Sequence, residues 1–127
     1  MTGHSASVRH SDSVEAMAVG AGRQTKRRVL IDSTEAPNFA LRKFTMQPGG
    51  GMPRHKNSVE HEQYVLRGRA KIGIGDEVYE VGADDVVFIP AGVPHWYEAL
   101  GEEPFEFLCA VPNGPDTIEL LGDEPAG

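Results

Sequence analysis

Short hydrophobic and alternating segments recur along the chain from about residue 27 onward, separated by Gly, Pro, Asn and Asp. These segments are RRVLID, FALRKFTM, EQYVLRGRAKIGI, EVYEV, DVVFIP, HWYEAL and FEFLCAV. Strands of this length and spacing, without a convincing long helix, are typical of a β-sandwich or barrel. Gly75-Asp76, between KIGI and EVYEV, predicts a hairpin turn because glycine supplies the positive φ of tight turns. The pattern therefore predicts an all-β fold.

Composition divides the chain into three regions. Residues 1–26 are predicted to form a flexible N-terminal tail, since most of this stretch is rich in Ser, Gly, Ala and His and lacks sustained periodicity. Residues 27–113 form the predicted β-barrel and residues 114–127 a C-terminal extension. A chain of 127 residues is long enough for one domain with its own core. No apolar stretch approaches the ~18 residues of a membrane span, and no signal-peptide pattern is visible, so we expect a cytoplasmic protein without a membrane partner.

Charge and cysteine content narrow the possible functions. The formal net charge of −7 argues against nucleic-acid binding, because an acidic surface repels phosphate. The basic run Lys26-Arg27-Arg28 leads into apolar residues and is interpreted as the solvated beginning of a strand. The single cysteine, Cys109, excludes an intrachain disulfide and is expected to pack as a small hydrophobic residue.

The segment 49-GGGMPRHKNSVEHEQYVLRG-68 concentrates imidazoles and carboxamides after three glycines. Successive side chains of a strand alternate between faces, so His61 and Gln63 share one face, and His55 and Asn57 project together. We expect the glycines to form a tight turn that brings these residues to the mouth of a barrel.

A second segment, 90-PAGVPHWYE-98, places His95 after a Pro-Gly turn at the start of a strand. Tyr97 shares a face with His95 because it is two residues further along the strand. The two segments together offer three imidazoles.

The spacing of these residues resembles that of a known family. Gly49-x5-His55-x-Asn57-x3-His61-x6-Gly68 is similar to the first motif of the cupin superfamily, usually Gly-x5-His-x-His-x3–4-Glu-x6-Gly. The second cupin motif, Gly-x5-Pro-x-Gly-x2-His-x3-Asn, is matched by Asp84-x5-Pro90-x-Gly92-x2-His95-x3-Ala99. The 15 residues between the motifs equal the spacing of small microbial cupins. The resemblance covers roughly residues 28–113 and implies a single-domain double-stranded β-helix, the jelly-roll barrel.

Two departures from the first motif bear on chemistry. Asn57 stands where a second histidine usually ligates a metal, and His61 stands where the usual ligand is glutamate. The sequence EHE around His61 resembles a subgroup of single-domain cupins with an all-histidine site. The resemblance therefore implies a metal site, which Asn57 puts in question.

Three imidazoles, from His55, His61 and His95, suit one divalent transition metal per chain. Mn or Fe is favoured, with Zn, Ni, Co or Cu as alternatives. Asn57 offers a carbonyl oxygen as a fourth ligand, or it hydrogen-bonds a metal-bound water. Gln63 and Tyr97 are candidates for lining the cavity. The alternative is that the histidines are separate structural residues and that Asn57 marks a lost site.

Three functions fit these residues. The first is a mononuclear metal-dependent oxygenase of a small organic substrate, since three protein ligands leave open positions on the metal. The second is a cyclase, isomerase or sugar-processing enzyme that uses the metal as a Lewis acid. The third is a ligand-binding protein without turnover. No side chain in the set is an obvious general base, so catalytic residues beyond the metal ligands are not assigned.

The strand that carries His61 has apolar residues on both faces. Tyr64 and Leu66 lie on the face away from the histidines, and an outer apolar face is usually covered. The pattern predicts a homodimer, with the strand near residues 27–32 packing across.

Overall fold

The computed structural model describes residues 5–122, which contain ten β-strands and one short 3₁₀ helix, Ser11–Ser13. The strands are β1 (Met17–Ala18), β2 (Arg23–Ile31), β3 (Phe39–Asn57), β4 (His61–Arg67), β5 (Arg69–Ile74), β6 (Glu77–Val81), β7 (Val86–Ile89), β8 (His95–Leu100), β9 (Phe105–Pro112) and β10 (Ile118–Leu120). The prediction of an all-β fold is confirmed. None of the helical residues in this part of the chain forms a span long and apolar enough to cross a membrane.

The strands join in one curled antiparallel sheet. Its main path is β6-β5-β8-β3-β9-β4-β7, while β2 and β10 pair with β3 and β1 pairs with β2. The central strand β3 is 19 residues long and pairs first with β9 and then with β8. Because β3 changes partners along its length, it joins the half of the sheet that contains β6, β5 and β8 to the half that contains β9, β4 and β7.

The interior is packed with side chains from alternate strand positions, as the period of a strand requires. In β4 the residues alternate between buried and exposed, beginning with buried His61. A column of aromatic rings runs through the core: Phe107 stacks on Phe44 at 5.0 Å and on Tyr97 at 5.3 Å between ring centroids. This column connects the apolar core to the strand that carries His95.

The glycines before His55 do not form the predicted tight turn. Strand β3 continues through Gly49, Gly50 and Gly51, with Gly49 at a φ of +83°. Gly51 pairs with β2 on one side and with β8 on the other, and a Cβ built on it would lie 2.2 Å from the carbonyl oxygen of Tyr97. The glycines therefore allow two strands to approach β3 closely, and the strand itself delivers His55 to the interior.

The hairpin predicted at Gly75-Asp76 is confirmed, because β5 ends at Ile74, β6 begins at Glu77 and Gly75 has a φ of +58°. The predicted flexible tail of residues 1–26 includes residues 17–18 and 23–26. These residues form β1 and the beginning of β2, which pair with each other and extend the sheet. Their stability comes from packing onto neighbouring strands, which local composition does not reveal.

The predicted C-terminal extension contains β10, which pairs with the end of β3 and so continues the sheet beyond residue 113. Residues 1–4 and 123–127, the outer parts of the predicted tail and extension, lie outside the described residues. The predicted division of the chain at residues 26 and 113 stays a prediction.

Candidate metal centre

All six predicted site residues meet in one cavity inside the sheet. Three strands supply them, and each is 6% exposed or less: His55 and Asn57 end β3, His61 and Gln63 begin β4, and His95 and Tyr97 begin β8. In the register of β3 and β8, His55 lies directly opposite His95. The position of each side chain follows from strand alternation, which turns the second residue of each pair the same way as the first.

The three imidazoles lie close to one another. The ring centroids of His55 and His95 are 4.2 Å apart, and those of His61 and His95 are 5.6 Å apart. The Nδ1 atom of His55 is 2.7 Å from the Pro53 carbonyl oxygen, and the Nδ1 atom of His95 is 3.0 Å from that of Val93. A carbonyl only accepts, so Nδ1 is the protonated nitrogen in both rings and Nε2 carries the lone pair.

Three buried polar atoms at this place have no hydrogen-bond partner among the described residues. They are the Nε2 atoms of His61 and His95 and the Oδ1 atom of Asn57. A buried polar atom without a partner is costly, and in native proteins it usually has a functional explanation. All three atoms are electron-pair donors to metals.

The imidazoles are neutral at physiological pH. Burial, followed by the positive charge of Arg42, lowers the pKa of His61 to about 3. Burial lowers the pKa of His95 to about 4, and it also lowers the pKa of His55. Neutral imidazole is the form that binds a metal, so protons do not compete for these rings near pH 7.

Asn57 is oriented by a residue that sequence reasoning missed. Its Nδ2 group donates a hydrogen bond to Oδ2 of Asp116 at 3.3 Å, while Asp116 also accepts from the Ser58 backbone N–H and hydroxyl. The amide oxygen of Asn57 is therefore the atom left facing the site. Asp116 lies in the loop before β10, and nothing in its local sequence separates it from an ordinary loop aspartate.

Gln63 and Tyr97 form a polar pair beside the imidazoles. Nε2 of Gln63 donates to the Tyr97 hydroxyl oxygen at 2.7 Å and contacts the Cys109 sulfur at 3.6 Å. Burial strongly raises the pKa of Tyr97, so its hydroxyl keeps its proton. Because the oxygen accepts from Gln63, the hydroxyl hydrogen remains available to donate.

The cavity has a volume of about 250 Å³, just below the ~300–1,000 Å³ of typical small-molecule pockets. Its other walls are mainly apolar and come from Ala18, Val19, Phe44, Met46, Met52, Phe107 and Ile118. Arg27 and Arg42 also line it. Arg27, interpreted from the sequence as part of a solvated strand beginning, is instead half-buried and lines the cavity. Strand alternation in FALRKFTM places Arg42 on the same face as Phe44 and Met46, and this signal could have identified it.

The donor set fits a transition metal, although side chains must rotate to use it. As they stand, no three His, Cys, Asp or Glu side chains within residues 5–122 are placed to hold a metal ion. The fit rests on the unpartnered Nε2 and Oδ1 atoms and on three neutral imidazoles, which suit Mn, Fe, Co, Ni, Cu and Zn better than Mg or Ca.

The chain is similar to known proteins over most of its length. The sequence profile of the family described as Cupin domain matches residues 42–111. The polyketide cyclase RemF from Streptomyces resistomycificus is 31% identical, with a TM-score of 0.84 covering 92% of this chain and 86% of that one. A cupin-2 domain protein from Rhodospirillum rubrum is 27% identical, with a TM-score of 0.81 covering 94% and 83%.

Among curated proteins, acireductone dioxygenase 1 from Nocardia farcinica is 28% identical over 65% of this chain and 43% of its own length. The chain spans less than two thirds of the length of the curated relatives it matches. Membership of the all-histidine subgroup stays a prediction. The fold is a jelly-roll barrel, and the chain belongs to the cupin domain family as one of its small members.

Proposed function

We propose that the protein is a metal-dependent enzyme that acts on a small, largely apolar substrate bearing a carbonyl group. His55, His61, His95 and the amide oxygen of Asn57 hold one divalent transition metal, with Mn or Fe favoured over Zn, Ni, Co and Cu. The observation that carries the proposal is the group of buried, unpartnered donor atoms on neutral side chains in the wall of an apolar cavity.

The reaction that fits best is a cyclisation or isomerisation. When bound, the metal would act as a Lewis acid that polarises a substrate carbonyl. Because all the proposed ligands are neutral, none of them offsets the charge of the ion, and its polarising power stays high. The similarity to the polyketide cyclase RemF over 92% of this chain supports this reaction class.

The remaining residues of the cavity would position the substrate and exclude water. Phe44, Met46 and Phe107 provide an apolar surface for its body. The Tyr97 hydroxyl, fixed by Gln63, lies beside the imidazoles and donates a hydrogen bond to the substrate oxygen. Since its pKa is raised by burial, Tyr97 acts as a hydrogen-bond donor and not as a base.

An oxygenase is the second candidate. The imidazoles of His55, His61 and His95 would hold the metal, and it would supply open coordination positions for a substrate and O2. The similarity to acireductone dioxygenase 1 over 65% of this chain supports this alternative. The two candidates differ in whether turnover consumes O2.

Metal content decides whether the site exists. Mass spectrometry of the protein purified without an affinity tag is expected to find about one transition metal per chain. The His61→Ala variant is expected to lose it, and His10→Ala, in which an exposed histidine is replaced, is expected to keep it. Little metal in the parent after reconstitution would contradict the proposal and leave a ligand-binding protein as the remaining function.

Oxygen uptake then separates the reactions. We expect the Zn-loaded protein to convert linear polyketone substrates without O2. Consumption of O2 by the Fe- or Mn-loaded protein, together with an inactive Zn form, would favour the oxygenase instead.

We also propose that the protein is a homodimer. Strands β4 and β7 expose apolar side chains, and β7 is the last strand on the main path of the sheet. These side chains are Tyr64 and Leu66 on β4 and Val86 and Phe88 on β7, and Val29 is a further exposed apolar residue on β2. Patches of this kind mark association sites in soluble proteins. Light scattering after size exclusion should give twice the chain mass, and Phe88→Glu should lower it; a monomer at all concentrations would contradict the proposal.

A further inference from the structure

Two arginines that the metal chemistry does not use line the same cavity as the histidines. Arg27 lies on β2 and Arg42 on β3, both partly buried. They occupy nearby register positions, because Arg27 pairs with Phe44 and Val29 pairs with Arg42. Val29 is two residues after Arg27 on β2, and Arg42 is two residues before Phe44 on the antiparallel β3. The sheet thus places two guanidinium groups together at one side of the cavity.

Neither guanidinium is neutralised within residues 5–122. Among the described residues, no carboxylate lies within 4.0 Å of Arg27 or Arg42, whereas four other arginines each pair with one: Arg9, Arg28, Arg67 and Arg69. The Nε atoms of Arg27 and Arg42, like that of Arg28, are buried and have no hydrogen-bond partner in this part of the chain. Arg42 contacts the Cys109 sulfur at 3.3 Å and lies 5.1 Å from the centroid of the Phe44 ring.

Two guanidinium charges at this place repel each other unless an anion lies between them. Burial lowers the pKa of Arg27, and the positive charge of Arg42 lowers it further. The chain as a whole carries a formal charge of −7, so carboxylates to pair with these cations are abundant elsewhere on the protein. Two partly buried like charges without counter-ions are costly, and charged groups perturbed in this way within a cleft are candidates for a functional site.

We propose that Arg27 and Arg42 form an anion-binding subsite that takes the carboxylate of an apolar, aromatic-type substrate acid. A guanidinium presents parallel N–H donors that match the two oxygens of a carboxylate, and the neighbouring apolar walls accept the rest of the molecule. This subsite rests on the proposed function in one respect only, namely that the same cavity binds the substrate.

The subsite lies close to the imidazoles. Arg42 contacts the Cys109 sulfur at 3.3 Å, and Nε2 of Gln63, which donates to the Tyr97 hydroxyl, contacts the same sulfur at 3.6 Å. The carboxylate would therefore bind beside the reacting carbonyl, and the substrate class is that of small ketone-bearing or phenolic acids.

Binding of a matched pair of probes tests the subsite. Benzoate and benzamide have the same shape and differ in charge. Their affinities are measured by calorimetry on the full chain after treatment with a chelator, which removes any metal that would itself bind benzoate. The parent is expected to bind benzoate at least ~10-fold more tightly than benzamide, from the strength of charge-assisted hydrogen bonds. Arg42→Gln is expected to abolish this preference and Arg27→Gln to reduce it.

Arg28→Gln provides the matched control. Arg28 is the neighbour of Arg27, pairs with Asp12 at 3.3 Å and is not among the residues that line the cavity. Its replacement removes the same charge and is expected to leave the benzoate preference unchanged. Thermal melts check that each variant is folded. If Arg42→Gln is not folded, Arg42→Met takes its place, because methionine keeps an apolar stem to pack over Phe44.

Equal affinities for benzoate and benzamide, no saturable binding of either probe, or a benzoate preference that survives Arg42→Gln would each overturn the proposal. Equal losses in Arg28→Gln and Arg42→Gln would overturn it as well, because they would indicate a general charge effect. Metal content is measured separately, on the same batches before chelation and after reconstitution. A parent that holds little metal in both states but shows an arginine-dependent benzoate preference would refute the metal centre and support the subsite.

Discussion

Lowering the pH should destabilise the metal-free protein through His61. In the folded chain the pKa of His61 is about 3, against an ordinary value of 6.5 that applies when the chain is unfolded. Between these two pKa values the His61 ring is protonated in the unfolded state and neutral in the folded state. Stability from the neutral ring is fully present above pH 6.5 and is lost as the pH falls toward about 3.

The size of the effect follows from the shift. Each pH unit below the unfolded pKa costs about 1.4 kcal/mol until the folded pKa is reached. Between about pH 7.5 and pH 5, His61 alone should lower the free energy of unfolding by ~2 kcal/mol. His95, with a pKa of about 4, should add a similar amount.

Urea denaturation at these two pH values measures this difference, with fluorescence of the single tryptophan, Trp96, as the signal. In His61→Gln the loss between the two pH values is expected to be smaller by ~2 kcal/mol, because an amide does not titrate. His10→Gln serves as the control, since the His10 side chain is 78% exposed. An identical loss in the parent and in His61→Gln would refute the assignment of a buried, neutral His61.

Two further predictions concern the surroundings of the site. Asp116→Ala removes the acceptor that orients Asn57 and should weaken metal binding by ~10-fold in a chelator competition. The control Glu119→Ala, which breaks an exposed ion pair of the same segment, should leave the metal affinity unchanged, and equal affinities of the two variants would contradict this role for Asp116. Gly51→Ala should lower the free energy of unfolding in urea by at least ~2 kcal/mol, because its Cβ would lie 2.2 Å from a backbone oxygen of Tyr97. Gly20→Ala is the control, since its Cβ would meet nothing within 4 Å, and similar stabilities of the two variants would show that β3 and β8 separate easily.

Strand alternation predicted most of the barrel and the inward direction of the polar side chains. His61, Gln63 and Val65 are buried, whereas Glu62 and Tyr64 are exposed, as a period of two requires. That His55 meets His95 across two strands followed from the spacing of two motifs and not from the local pattern. Metal binding by these residues stays a prediction.

Features that depend on tertiary contacts were not predictable. The glycines at 49–51 indicated a turn, because local sequence does not reveal that β2 and β8 approach the same stretch of β3. Arg27 looked solvated because a basic run at a strand start usually is, and its burial depends on β3 lying across it. Asp116 acts on Asn57 from 59 residues away in the sequence.

The length of β3 has a consequence for the order in which the protein assembles. The strand pairs with β2, which precedes it, and with β8, β9 and β10, which follow much later in the chain. Contacts between distant parts of a chain form slowly, because the loop that separates them must first close. His55 and Asn57 end β3 and face residues of β8 and of the loop before β10, so their surroundings are complete only when folding is nearly finished. We therefore expect the proposed metal site to form late in folding, after β3 has paired with the strands that follow it in the chain.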